Sequence, residues 1–172
     1  MRKTYSTMKQ VGSSFTSDMA DQHPDRVSGF ASPFSSYGGR AGFYGIIETL
    51  QCFEDAKLLR SRLSEPGHGK VLVIDGGSHR VAVLGDKMAQ LGLNNGWTGV
   101  MVNGANRDCE ALASMDFGVL AMGAVPIRAG FQGGGQCNIT VTIAGIAFTP
   151  GSYAYCDADG ILLSRAEIDP GF

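Results

Sequence analysis

The stretch VLVIDGGSHRVAVLGDKMAQLGLNNGWTGVMVNGANRD, residues 71–108, decides the fold. Val71, Leu72, Val73 and Ile74 form a continuous apolar run, the pattern of a strand covered on both faces. Asp75-Gly76-Gly77 ends it as a turn at the edge of any cleft above the strand. Residues 81–84 make a second strand-like run that leads into Gly85-Asp86. Residues 87–93 have helical spacing, with Met88, Leu91 and Ala89 facing inward, and Asn94-Asn95-Gly96 supplies the stop. Trp97, the only tryptophan, reads as a packing anchor between that helix and the next strand. Residues 99–102 are again a buried strand, closed by Asn103-Gly104. This alternation implies parallel strands joined by helical crossovers.

Toward the N-terminus, residues 43–53 read as a strand. Residues 55–63 carry a helical stripe of Leu58, Leu59 and Leu63. Residues 28–42 are rich in Gly, Ser and Pro and read as an irregular loop. Thr16 or Ser17 can cap a short helix that Pro24 stops. Residues 1–15 are polar and form an accessory arm. Toward the C-terminus, residues 108–115 suit a short helix, and residues 117–122 and 125–127 suit two strands. Residues 128–135 form a glycine-rich, mobile loop. Four short β-segments then follow, at 139–143, 146–148, 153–156 and 161–163, punctuated by turns at Ala144-Gly145, Pro150-Gly151 and Asp159-Gly160. The expected architecture is a single α/β domain over residues 16–172. It has a β/β/α arrangement, with a parallel βαβ part and a C-terminal β-rich part.

Composition bounds the function. The 172 residues include 14 Lys+Arg and 16 Asp+Glu, a net charge of −2, which argues against nucleic acid as a direct partner. It leaves room for a small anion held by one or two local groups. The 25 glycines are scattered rather than periodic, so they mark turns and not a collagen-like repeat. Cys52, Cys109, Cys137 and Cys156 show no metal-ligand spacing, and a chain with 44% hydrophobic residues needs no disulfide staples. Reduced cysteines, no signal peptide after the basic Met1-Arg2-Lys3 and no membrane-length apolar run lead us to expect a cytoplasmic protein. His23, His68 and His79 have no ligand spacing and read as surface or loop residues. Gly133-Gly134-Gly135 lacks the strand-then-helix setting of a phosphate loop and reads as a hinge.

Ligands of α/β proteins gather at the ends of parallel strands, and two such ends carry chemistry. At Gly85-Asp86-Lys87-Met88 a glycine lets a ligand approach the backbone, and the helix start offers unpaired N–H groups to a carboxylate or phosphate. The same residues can equally be a turn with Asp86 as a helix cap. At Arg107-Asp108 a guanidinium can hold a carboxylate or oxyanion, and a carboxylate can hold a hard divalent cation, directly or through water. Asp108 can also simply cap the helix after it.

Residues 71–108 resemble the RraA-like family. So do YGGRAGFYGIIETLQCFED (37–55), EPGHGK (65–70) and FTPGSYAYCDADGILLS (148–164), in the family's order and over residues 16–164. The resemblance implies the swivelling β/β/α fold and one of two roles. The first is that of a class II pyruvate aldolase dependent on magnesium or manganese. Such enzymes cleave 4-hydroxy-4-methyl-2-oxoglutarate or a related 4-hydroxy-2-oxo acid to pyruvate, and also decarboxylate oxaloacetate. The second is that of a regulator of RNase E activity, a protein inhibitor that binds the ribonuclease. A methyltransferase name once used for the family finds no matching S-adenosylmethionine motif here.

The family's enzymes carry an aspartate, twenty intervening residues and then Arg-Asp, which Asp86, Arg107 and Asp108 match. By resemblance the amides of Gly85, Asp86, Lys87 and Met88 hold the substrate carboxylate. Arg107 binds pyruvate oxygen and is catalytic, Asp108 holds the metal, and Asp86 orients Arg107 or a proton-carrying water. One departure is Ala111, where the enzymes often have an acid; Glu110 is one place earlier. The family also draws an acid from a neighbour's C-terminus, where this chain has Glu167 and Asp169. It implies a homotrimer, or trimers paired into a hexamer.

Overall fold

The computed structural model describes residues 14–172; the polar arm at 1–15 therefore lies almost wholly outside the described residues. In chain order the elements are α1 (Thr16–Gln22), β1 (Val27–Phe30), β2 (Ser35–Ser36), β3 (Phe43–Gln51), α2 (Lys57–Leu63), β4 (Lys70–Asp75), β5 (Ala82–Leu84) and α3 (Asp86–Asn94). They continue with β6 (Gly99–Asn106), α4 (Cys109–Ala113), β7 (Gly118–Ala124), β8 (Gln136–Cys137), β9 (Val141–Ile143), β10 (Ile146–Phe148), β11 (Tyr153–Asp157) and β12 (Gly160–Ser164).

One mixed sheet runs β1-β12-β11-β3-β4-β6-β7-β2, with β5 added beside β6 and β8 beside β3. The pairs β3–β4, β4–β6, β5–β6 and β6–β7 are parallel. The C-terminal strands extend the sheet antiparallel from β3. The parallel and β-rich parts are thus halves of one sheet. Strand alternation sends successive side chains to opposite faces. Leu72 and Ile74 face α2, α3 and α4, beside Leu59, Leu63, Ala89 and Trp97. Val71 and Val73 face the β9–β10 hairpin, beside Ile143, Ile146 and Phe148. Helix α1 covers the antiparallel extension through Phe15, Met19, Tyr155 and Leu162. Helices, sheet and hairpin make the three layers of the expected β/β/α arrangement.

Several local expectations change. The 28–42 loop contains β1 and β2, which pair with β12 and β7; short edge strands need a partner more than a periodic pattern. Residues 125–127 are not a strand, because Pro126 lacks the N–H a ladder needs. The helix expected at 108–115 is only Cys109–Ala113. In α3 the fully buried positions are Ala89 and Gly92, while Met88 and Leu91 are half-buried. A Cβ on Gly92 would come within 3.1 Å of Phe117 and 3.2 Å of Leu63, so small residues let α3 sit close to its neighbours. No side chain caps α1; its position comes from Asp157, which accepts from the Phe15 and Thr16 amides. Trp97 is the anchor it was expected to be, buried, with its indole N–H on the Glu65 carbonyl.

Candidate active site

The Arg-Asp dipeptide sits where β6 runs into α4. Arg107 N donates to the Leu84 carbonyl at 3.0 Å, which ties the dipeptide to the end of β5. Asp108 then takes a left-handed backbone, φ 60° and ψ 41°, a conformation that costs most L-residues about 1–2 kcal/mol and that aspartate tolerates better than most. The turn brings its carboxylate to the start of α3, where Asp86 N donates to Asp108 Oδ2 at 3.1 Å. Gly85 is what permits this approach. Its φ of −136° is open to any residue, but a Cβ there would lie 2.6 Å from Asp108 Oδ2 and 3.4 Å from Arg107 Nε.

All six predicted site residues (Gly85, Asp86, Lys87, Met88, Arg107 and Asp108) line one cleft of about 710 Å³. Asp86 makes no hydrogen bond or ion pair to Arg107, the first of the two roles expected of it; the second, orienting a water, stays open. Its Oδ1 accepts from the Lys87 amide at 2.7 Å, and the neighbour of Arg107 Nε is Asp108 Oδ2 at 3.8 Å. Adjacent chain positions put Asp108 within reach, whereas Asp86 turns back onto its own helix start. The Arg107 and Asp108 side chains remain 39% and 37% exposed, open to a ligand.

The cleft has a second wall that sequence reasoning missed. Arg60 from α2 and Arg128, Ala129, Gly130 and Phe131 from the glycine-rich loop complete it. Residue 128 pairs with Ala82, so this segment runs beside β5 on the side away from β6. The loop is anchored rather than a free hinge. Asp55 accepts from Gln132 N at 2.6 Å and from Gly133 N and Lys57 N at 3.0 Å. These bonds, led by the one from Gln132, outweigh burial and hold the Asp55 carboxyl below its usual range. No local pattern shows the grip of Asp55 on residues 77 and 78 positions further along the chain.

The donor set bears on the metal. Among the described residues no three His, Cys, Asp or Glu side chains gather to hold an ion. Asp108, with Asp86 close by, offers one or two carboxylates. That suits a hard cation such as magnesium, which keeps several waters and is completed by substrate oxygens. It does not suit zinc, which prefers closed sets of Cys and His. Glu110 does not line the cleft, and Ala111 supplies no polar atom. Glu167 and Asp169 lie with the C-terminal segment, which Tyr155 fixes through hydrogen bonds to Ile168. Neither lines the cleft of its own chain. All four cysteines are free thiols. No helix among the described residues is long and apolar enough to cross a membrane.

A mixed sheet whose parallel half ends in a glycine-opened helix start and an Arg-Asp pair, both lining one open cleft, defines an α/β protein with a candidate site at its strand ends. The chain belongs to the RraA-like family (Aldolase/RraA), whose sequence profile matches residues 16–163. It is 46% identical over 154 residues to an Aromatoleum aromaticum protein named "Putative 4-hydroxy-4-methyl-2-oxoglutarate aldolase", covering 89% of this chain and 97% of that one. Among solved structures it resembles the RNA-processing inhibitor RraA from Thermus thermophilis, with TM-score 0.85, 39% identity and coverage of 91% and 95%. It equally resembles a Geobacillus kaustophilus protein named as an S-adenosylmethionine:2-dimethylmenaquinone methyltransferase, with TM-score 0.85, 39% identity and coverage of 89% and 96%. The three names disagree, so similarity carries the family and the fold, and the activity has to be argued from the cleft.

Proposed function

We propose that the protein is a divalent-metal-dependent class II pyruvate aldolase. It cleaves 4-hydroxy-4-methyl-2-oxoglutarate, or a related 4-hydroxy-2-oxo acid, to pyruvate and also decarboxylates oxaloacetate. The observation that carries this reading is the convergence of residues 85–88 and Arg107-Asp108 in one open cleft. Both reactions break a carbon–carbon bond beside a ketone and leave the enolate of pyruvate, so both need an anchored carboxylate and a stabilised oxyanion.

The chain's own residues meet those needs. The start of α3 binds the substrate carboxylate, which takes the place of the Asp108 carboxylate on the Asp86 amide and of the Asp86 carboxylate on the Lys87 amide; backbone N–H groups and the helix dipole favour an anion there. The Arg107 guanidinium lies against the keto oxygen and stabilises the negative charge that grows there. Asp108, with Asp86 in support, would hold magnesium or manganese, whose chemistry when bound is Lewis-acid polarisation of the ketone. Asp86 positions a water that carries protons at the cleft mouth. By the family resemblance the working form is a homotrimer, or trimers paired into a hexamer, and the missing acid comes from a neighbour's C-terminal segment. The setting is cytoplasmic.

The test is pyruvate release from oxaloacetate and from 4-hydroxy-4-methyl-2-oxoglutarate, followed through lactate dehydrogenase, with magnesium and with chelator. Chelator-sensitive release supports the reading, and turnover that persists in Asp108→Asn would sink it. The Thermus neighbour favours a second reading, inhibition of RNase E by protein–protein contact. Absence of release from folded, metal-supplied protein, together with inhibition of purified RNase E, would favour that role.

A further inference from the structure

We infer that Asp55 is a positioning residue for the candidate site: its carboxylate latches the backbone of residues 132 and 133 and so sets the wall of the cleft that Arg128, Ala129, Gly130 and Phe131 form. The inference rests on the pyruvate aldolase reading above and adds to it a residue that touches no ligand itself.

The way the wall is held is the first ground. Its near end is tied to β5, where Ala82 N donates to Ile127 O at 2.7 Å and Ala129 N to Ala82 O at 2.9 Å. Its far end is tied to the segment between β3 and α2. There Gly130 N donates to Glu54 O at 2.8 Å, and Ala56 N to Gly130 O at 2.9 Å. Asp55 then accepts from Gln132 N at 2.6 Å and from Gly133 N at 3.0 Å. A third bond, from Lys57 N at 3.0 Å, fixes the carboxylate against the start of α2. Beyond this latch Gly133, Gly134 and Gly135 follow at φ 102°, 113° and 110°. A run of glycines transmits little position along the chain, so β8 does not set the wall from its other side. The Asp55 carboxylate does.

Strain is the second ground. Among the described residues only four non-glycine residues have positive φ. Two of them belong to this cleft: Asp108 lines one wall, and Glu54, at φ 50°, bonds to Gly130 of the other. L-residues avoid this region of backbone space. The Glu54 side chain braces it there, accepting from Ser78 Oγ at 2.6 Å and from Arg80 Nη2 at 2.8 Å. The kink turns the Glu54 carbonyl onto Gly130 N and points the Asp55 carboxylate at the loop. Strain that its surroundings over-determine in this way clusters at functional sites. What the latch holds is not core. Phe131 is 52% exposed, with its ring 5.9 Å from the Arg60 guanidinium at the cleft wall. Burial gives little reason to fix such a residue; shaping the cleft does.

The test breaks the latch from both ends in the full chain. Asp55→Asn keeps the shape of the side chain and removes half of its acceptor capacity. Gln132→Pro removes the amide that makes the shortest bond and leaves Asp55 intact. Asp157→Asn is the control, the same change in a carboxylate that clamps backbone amides away from the cleft. In steady-state pyruvate release with magnesium, both latch variants are expected to raise KM about tenfold, the scale of one charge-assisted hydrogen bond. Their kcat is expected to stay within about twofold, because a displaced wall weakens ground state and transition state alike. Asp157→Asn is expected to keep the wild-type KM. Amide exchange over residues 129–133, read by mass spectrometry without metal or substrate, is expected to quicken about tenfold in both latch variants and not in the control. An unchanged KM in both latch variants, an equal rise in the control, or unchanged exchange would overturn the inference. If Asp55→Asn does not fold, Gln132→Pro carries both measurements. If wild-type protein releases no pyruvate, the aldolase reading itself has failed and the positioning role falls with it. An active wild type with unaltered latch variants sinks the positioning role alone.

Discussion

Asp157 and Asp108 sit in the two halves of one sheet and are used in opposite ways. In the antiparallel half, Asp157 is 8% exposed and accepts from Phe15 N, Thr16 N, Thr16 Oγ1 and Asp159 N at 2.7–2.9 Å. Burial alone would raise its carboxyl, but these four donors outweigh burial and hold it below the usual range. In the parallel half, Asp108 accepts one backbone N–H and stays 37% exposed in a left-handed backbone. A carboxylate whose acceptor capacity is used up by the chain is structural. One that the fold strains into a cleft and leaves open is available for a ligand.

The strongest way to break that contrast is to remove each charge in turn. Asp108→Asn is expected to lower pyruvate release by about 100-fold or more, the scale seen when a group acting on developing charge is lost, with the urea midpoint unchanged. An unchanged rate would show that Asp108 is no more functional than Asp157. Asp157→Ala should do the reverse. It strands three backbone donors and the Thr16 hydroxyl near α1, which we expect to cost about 3 kcal/mol in urea denaturation. Catalysis per folded molecule should be untouched.

A subtler substitution tests the geometry behind the open carboxylate. Gly85→Ala places a methyl group 2.6 Å from Asp108 Oδ2, so the carboxylate must move off the Asp86 amide. We expect about a tenfold loss of activity, near 1.4 kcal/mol, with the fold intact by circular dichroism. Full activity would mean that the contact between the α3 start and Asp108 is incidental. The smallest effect concerns acid. The lowered carboxyls of Asp157 and Asp55 bind fewer protons in the folded than in the unfolded state as pH falls below about 4. Their stabilisation is therefore complete above the unfolded carboxylate value of about 3.9 and is lost as pH falls through the folded value. Melting temperature should drop below about pH 4, and Asp157→Asn should flatten that limb.

The candidate site was legible in unequal parts. The 71–108 stretch carries its strands, its crossover helix and both chemical ends in local pattern, because a strand buried on two faces has to be apolar throughout. Two-residue strands such as Ser35–Ser36 have no such pattern; their pairing with β7 is decided by what lies beside them. Arg60 and Arg128 look like ordinary surface charges in sequence. They join the cleft only because Asp55 captures the backbone of a loop nearly eighty residues further along the chain.

The sequence by itself therefore determined the class of fold, the family and the Arg107-Asp108 and Gly85–Met88 ends, since periodicity and motif spacing are properties of neighbours along the chain. Only the tertiary structure decided that Asp108 reaches the α3 start instead of Asp86 reaching Arg107, and that a second, cationic wall faces them across β5. Those relations depend on strand order and on hydrogen bonds between distant segments. They come into being when the apolar faces of the sheet are buried, and no local pattern encodes them.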